Sequence, residues 1–158
     1  MNNRDIALAR RMARLRAVQA LFQLEATGAS VEKVVHDFEE SDLIEDDDKN
    51  LELAPADDDY FRKILRTAIS KHQEIDRLTD SKLKKGWQLD RIDPTLRALF
   101  RAAGAELKMQ SAPPRVVIDE YVEITKAFYP QDKSAGFVNA VLDNLAKQLR
   151  PEIFSQSS

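Results

Sequence analysis

Four arginines, Arg10, Arg11, Arg14 and Arg16, fall close together and run without a breaker into Ala17-Val-Gln-Ala-Leu-Phe22. With Arg4 they face a single acid, Asp5, in the first 23 residues, a denser cluster than solubility requires. Guanidinium groups suit phosphate recognition, because the planar fork offers several N–H donors to oxygens at once. Arg10 and Arg14 stand i and i+4 apart on a helix, and Arg11 and Arg16 flank its larger apolar stripe. A solvated face with stems lying over apolar neighbours explains the same pattern, and at this point both readings stand open.

Other chemistry-bearing residues are sparse. His36 and His72 have no partner at metal-ligand spacing. Asp119, Glu120 and Glu123 are grouped, but on a helix such a group is ordinarily a solvated face. The run Asp46-Asp47-Asp48 lacks the glycine and the terminal glutamate of a calcium loop. The chain has no cysteine, which removes disulfides, thiolate metal sites and thiol nucleophiles. With neither a glycine-rich phosphate loop nor a nucleophile motif, we expect no enzyme, no cofactor and no metal.

Net charge is −3 over 158 residues, but the charges are segregated. Residues 37 to 59 hold twelve acids against Lys49 alone, a local −11, so the rest of the chain carries +8. The positive charge lies in residues 1 to 23 and again in 60 to 112, and an acidic total is no argument against a nucleic-acid partner. No apolar run follows the N-terminus and none reaches the length of a membrane span, so a soluble cytoplasmic protein is expected.

The arginines must be placed by helices, since four glycines and six prolines leave few turns. Leu8, Met12, Leu15, Val18 and Phe22 make a stripe expected to face the core, beside a narrower one of Ala9, Ala13, Ala17 and Ala20 where another helix can approach closely. Gly28 suits the C-terminus of this helix and Ser30 the N-cap of the next, which carries Val31, Val34, Val35 and Phe38. Like-charge repulsion then predicts a mobile acidic segment over 39–59. A helix of some twenty residues from Asp57–Asp59 carries Phe61, Ile64, Leu65, Ala68, Ile69, Ile75 and Leu78. Thr79-Asp80-Ser81 offers a cap for the basic segment that follows, where Trp87 is expected in the core.

Asp93-Pro94 starts a helix with Leu96, Leu99, Phe100, Ala103 and Leu107 on its apolar face. Pro113-Pro114 opens another with Val117, Tyr121, Ile124 and Phe128, stopped by Pro130. The last, capped near Asp132, carries Phe137, Val138, Val141, Leu142, Leu145 and Leu149 up to Pro151. About seven amphipathic helices with short links make an all-α bundle.

Several stretches, spread over nearly the whole chain, resemble the NusB family of transcription antitermination factors. They are Ala9–Phe22, Arg91-Ile-Asp-Pro-Thr-Leu-Arg-Ala-Leu-Phe-Arg101 with Glu106-Leu107, Pro113–Phe128, and Phe137-Val-Asn-Ala-Val-Leu-Asp143. The resemblance implies one NusB-like domain of two three-helix subdomains, residues 1–80 with the acidic segment and residues 81–150. It implies a non-enzymatic factor that pairs with NusE, a small-subunit ribosomal protein. The pair would bind boxA RNA and join RNA polymerase in an antitermination complex that supports transcription of ribosomal RNA operons. The family's arginine-rich helix contributes to RNA binding; the matching residues are Arg10, Arg11 and Arg14, with Arg16 one turn along. Phe22 aligns with an RNA-proximal tyrosine. Ahead of Phe137 the family often carries a cation where this chain has Gly136, and Lys133 is the candidate replacement. Two alternatives stand beside this reading: a helical adaptor that binds protein only, and the RNA-binding module of a ribosomal RNA methyltransferase, which would need a cofactor-binding half beyond Ser158.

Overall fold

A computed structural model describes residues 2–48, 56–131 and 133–151, with the backbone alone for 40–48. Seven α-helices and a short 3₁₀ turn account for the described residues, with no strand among them: α1 (Asn3–Thr27), α2 (Val31–Asp48), α3 (Asp58–Ser70), α4 (His72–Lys82), the 3₁₀ turn (Leu89–Arg91), α5 (Pro94–Met109), α6 (Pro114–Phe128) and α7 (Ser134–Leu149).

The helix boundaries follow from local chemistry. Asn2 caps α1 by accepting from Asp5 N–H at 2.9 Å. Gly28 ends α1 in the left-handed region at φ 68°, where its N–H reaches Leu24 O, a conformation that costs glycine nothing. Ser30 Oγ accepts from Lys33 N–H, Asp57 caps α3 through Tyr60 N–H, and Asp93 caps α5 through Thr95 N–H at 2.8 Å with Pro94 at the first turn.

Three expectations about elements change. Residues 39–48 of the acidic segment continue α2 as helix. Once Val31–Phe38 form a turn against the bundle, each further residue adds a hydrogen bond at little extra cost, and Glu39 is paired with Arg62 of α3. Residues 49–55 lie outside the described residues. The twenty-residue helix is two helices meeting at Lys71, at φ −112°. Its periodicity survives the break because α3 and α4 both present their apolar residues to α5. Thr79-Asp80-Ser81 lies inside α4 and caps nothing there. The Thr79 hydroxyl donates to Ile75 O at 2.7 Å, and Asp80 Oδ1 accepts from Leu89 N–H, which pins the 3₁₀ turn. The expected cap at Asp132 falls outside the described residues, and Lys133 occupies the N-cap position of α7.

α5 is the axis of the molecule. Eleven of its sixteen residues are buried, and it packs against α1, α3, α4, α6 and α7. At Gly104 it passes so close to α4 that an added Cβ would stand 2.6 Å from Ile75 Cγ2. The start of α5 is tied to the end of α1 by charge. Arg97 pairs with Glu25 and also donates to the Leu89 and Ile92 carbonyls at 3.0 Å, while Arg101 bridges Glu25 and Asp76.

α1 keeps the close approach expected along its small-residue stripe, but of the larger stripe it buries only Val18. Its buried residues are Ala13, Arg14, Ala17, Val18, Ala20 and Leu21. The small-residue stripe faces the core because it lets α5 and α3 approach closely, whereas Leu8, Met12 and Leu15 are half-buried and Phe22 is 40% exposed. Trp87, expected in the core, is 50% exposed.

Candidate nucleic-acid interface

Arg10, Arg11, Arg14 and Arg16 share one helix but have four different environments. Arg14 is buried. Its guanidinium donates from Nε to Glu106 Oε1 at 2.8 Å and from Nη2 to Oε2 at 2.7 Å, and Glu106 on α5 is wholly out of solvent. Burial opposes the charge on Arg14, but the hydrogen bonds and field of Glu106 outweigh it and its pKa is raised. Two phenols complete this cluster. The Tyr60 hydroxyl donates to Glu106 Oε2 at 2.5 Å and meets Ser111 Oγ at 2.7 Å, and burial followed by the Glu106 charge pushes its pKa up. Tyr121, fully buried, is pushed well above the ordinary phenol value by burial and then by Glu106.

Arg14 was expected among surface cations. The structure places it inside, where it neutralises a core carboxylate and cannot reach a phosphate without breaking that pair.

Arg11 lies outside, with half of its side chain in water. It donates through Nε and Nη2 to Glu120 of α6 at 2.9 and 3.1 Å, and the hydrogen bond and charge of Glu120 raise its pKa. Glu120 is therefore a partner of the arginines and not part of a solvated face; Arg14 Nη1 also lies 3.9 Å from it. Arg10 lies over the Tyr60 ring with its guanidinium carbon 4.6 Å from the centroid, a cation–π contact. Arg16 turns toward α2, where Nη1 donates to Phe38 O at 3.3 Å.

Helical geometry groups these residues further. Eleven residues separate Arg11 from Phe22, which sets them about 20° apart around α1 and roughly 16 Å apart along it. An exposed guanidinium and an exposed ring thus share one face, with Arg10 about 100° round the helix from Arg11 on one side and Arg16 about 140° round on the other. Lys133 stands exposed in the turn ahead of α7, an element away from α1.

The surface offers charge-assisted donors and one aromatic face, equipment for phosphate and base contacts. His36 and His72 are both exposed, and among the described residues no group of His, Asp and Glu could hold a metal ion. No helix among them is long and apolar enough to cross a membrane.

Glu106 and Tyr60 were missed as partners of the arginines. A signal for Glu106 was present: it sits three residues after Ala103 and seven after Leu99, in register with the apolar face of α5, and an acid there needs a buried cation. Nothing in the sequence pointed to Tyr60.

Comparison with known proteins bears on the chain as a whole. The sequence profile of the NusB family matches residues 11–147. The transcription antitermination protein NusB of Caulobacter vibrioides is 42% identical over 142 residues, 89% of this chain and 94% of that protein. The protein of the same name from Sinorhizobium medicae is 43% identical over 141 residues, 89% of this chain and 87% of its own. Among solved structures, T. maritima NusB superposes with a TM-score of 0.73 at 30% identity, over 92% of this chain and 96% of that one. A chain in a crystal structure of antitermination factors NusB and NusE in complex with dsRNA gives a TM-score of 0.69 at 28% identity, over 89% and 97%.

Proposed function

The chain belongs to the NusB family, and from that premise we propose that it is an RNA-binding transcription antitermination factor which pairs with NusE and binds boxA RNA. Its role is to join the antitermination complex of RNA polymerase and support processive transcription of ribosomal RNA operons, as a binding protein and not as an enzyme. The observation that carries the reading is the likeness, over most of both chains, to a chain of the NusB–NusE complex with RNA.

The geometry supports it in a specific way. Arg11 and Arg10 supply the phosphate contacts and Phe22 an aromatic face, Arg16 adds charge on the flank, and Lys133 contributes from the turn before α7. Arg14 holds the helix in place from inside. With few cations available, binding by the chain alone is modest and salt-sensitive, and NusE raises affinity by adding contacts along the same RNA.

The test is titration with boxA RNA across a range of salt concentrations, with and without NusE. Each phosphate contact on a single strand contributes about 0.7 to the slope of log K against log salt. Arg10→Ala with Arg11→Ala is expected to flatten that slope while the protein stays folded. An unchanged slope would remove α1 as the RNA site.

A further inference from the structure

The groove beside Trp87 has no part in the reading so far. Residues Lys84 to Trp87 close a tight turn in which the Trp87 N–H donates to Lys84 O at 2.9 Å, and Gly86 takes φ 91°, a backbone suited to glycine in such turns. The turn presents the only tryptophan of the chain to solvent, half exposed.

The indole is braced. Its ring leans on Phe137 at 5.3 Å between centroids, and Phe137 meets Phe100 of the core edge-on at 5.9 Å. Alongside opens a groove of about 470 Å³ lined by Trp87, Arg91, Ile92, Leu96 and Tyr129 among others, within the size range of small-molecule pockets. Its carboxylate, Asp93, is engaged at both oxygens: one accepts from Thr95 N–H, the other from the Tyr129 hydroxyl at 2.6 Å. Lys84, Lys85 and Arg91 are exposed along the same stretch of chain, and Lys133 precedes Ser134, which also lines the groove. The neighbouring acid Asp90 lines a different groove with Glu25 and Asp76.

We propose that this groove is a nucleobase pocket for single-stranded RNA, in which one base stacks on the open face of Trp87 while flanking phosphates meet Arg91, Lys84 and Lys85. The proposal rests on the RNA-binding reading above and adds a contact outside α1. Charge favours RNA over a protein occupant, because the cations border an apolar floor whose carboxylate is already bonded. A rigid aromatic face beside cations is how single strands are held with little demand on sequence.

Because Trp87 is the sole tryptophan, its fluorescence reports this position alone. Fluorescein-labelled boxA RNA is titrated into the full chain, following anisotropy of the label in one channel and, with unlabelled RNA, indole emission in the other. The expected result is quenching that saturates at the midpoint given by anisotropy. Trp87→Leu keeps apolar bulk against Phe137 and should weaken binding roughly 5- to 150-fold, the range of one lost stacked base, with the salt slope unchanged. Trp87→Phe, which restores a ring, should recover much of the loss. RNA that binds by anisotropy while the indole does not respond, or Trp87→Leu binding as the parent does, overturns the pocket and leaves the proposed function standing. An indole response to NusE but not to RNA assigns the groove to a protein partner and also overturns it. Absence of RNA binding in both channels, with and without NusE, removes the RNA-binding reading and this pocket with it.

Discussion

Replacing Arg14 by alanine should unfold this protein more readily rather than merely weaken its grip on RNA. The Arg14 side chain is 4% exposed and that of Glu106 not at all. Truncation therefore strands a carboxylate in the core with only the Tyr60 hydroxyl to serve it. Breaking a buried pair from one side costs about 3–5 kcal/mol, a large share of a domain's total stability of about 5–15 kcal/mol. For a chain of this size each kcal/mol moves the melting temperature by about 2–4 °C, so Arg14→Ala should melt about 6–20 °C below the parent. Removing both charges is a different perturbation. Arg14→Met with Glu106→Leu exchanges the pair for apolar groups of similar bulk and should recover most of the loss, since Tyr60 keeps Ser111 as a partner. Thermal unfolding followed by circular dichroism reads all three proteins. RNA titration of Arg14→Ala below its melting temperature should show the parent's salt slope, because a guanidinium bound to Glu106 has no phosphate to release. An Arg14→Ala protein that melts like the parent and loses about 0.7 from its salt slope would refute the reasoning and return Arg14 to the RNA surface.

Three further outcomes follow from the geometry. Gly104→Ala forces a methyl against Ile75 and should cost about 1–3 kcal/mol as overpacking, measured by urea unfolding; Gly104→Ala with Ile75→Val should regain part of it. The hydrogen bond from Arg97, helped by the charge of Arg101, holds the Glu25 carboxyl below its ordinary 4.5. Its stabilisation is therefore fully present above that value and is lost as pH falls through the lowered one. The difference in urea midpoint between parent and Glu25→Gln should be clear at neutral pH and vanish at the acid end of the titration. Glu120→Gln frees Arg11 from its carboxylate, so RNA affinity at low salt should rise a few-fold with a steeper salt slope, and a fall in affinity would mean that Glu120 orients Arg11 for the RNA.

Helix starts and stops were legible wherever a short side chain closes on the backbone: Ser30 and Asp93 as caps, Asp57–Asp59 as a helix start, Gly28 as terminator. The apolar faces of α5, α6 and α7 were largely legible because large residues recur there at helical spacing: all five positions expected on α5 are buried, whereas Phe128, expected on the face of α6, is 38% exposed at the helix end. On α1 the close contact along the alanines was legible, but volume was a poor guide to the rest of the burial: Val18 is inside, while Leu8, Met12, Leu15 and Phe22 of the same stripe sit at the margins. Trp87 was misplaced for a different reason: its turn closes locally between Lys84 and Trp87, but the ring is braced by Phe137, far away in the chain. Charge position was legible but charge partnership was not: Arg14 and Glu106 are 92 residues apart, and only the fold brings them together.

The placement of α5 bears on how the molecule comes apart. A helix with neighbours on every side cannot loosen along one flank while the rest of the domain stays intact. Its central amide hydrogens must then wait for global opening before they exchange with solvent, whereas α2, which packs mainly on α1, exchanges through smaller local openings. The helices before and after α5 share it as a common wall, so neither group has a melting transition of its own. Sixteen residues thus carry most of the coupling between the helices on either side of them.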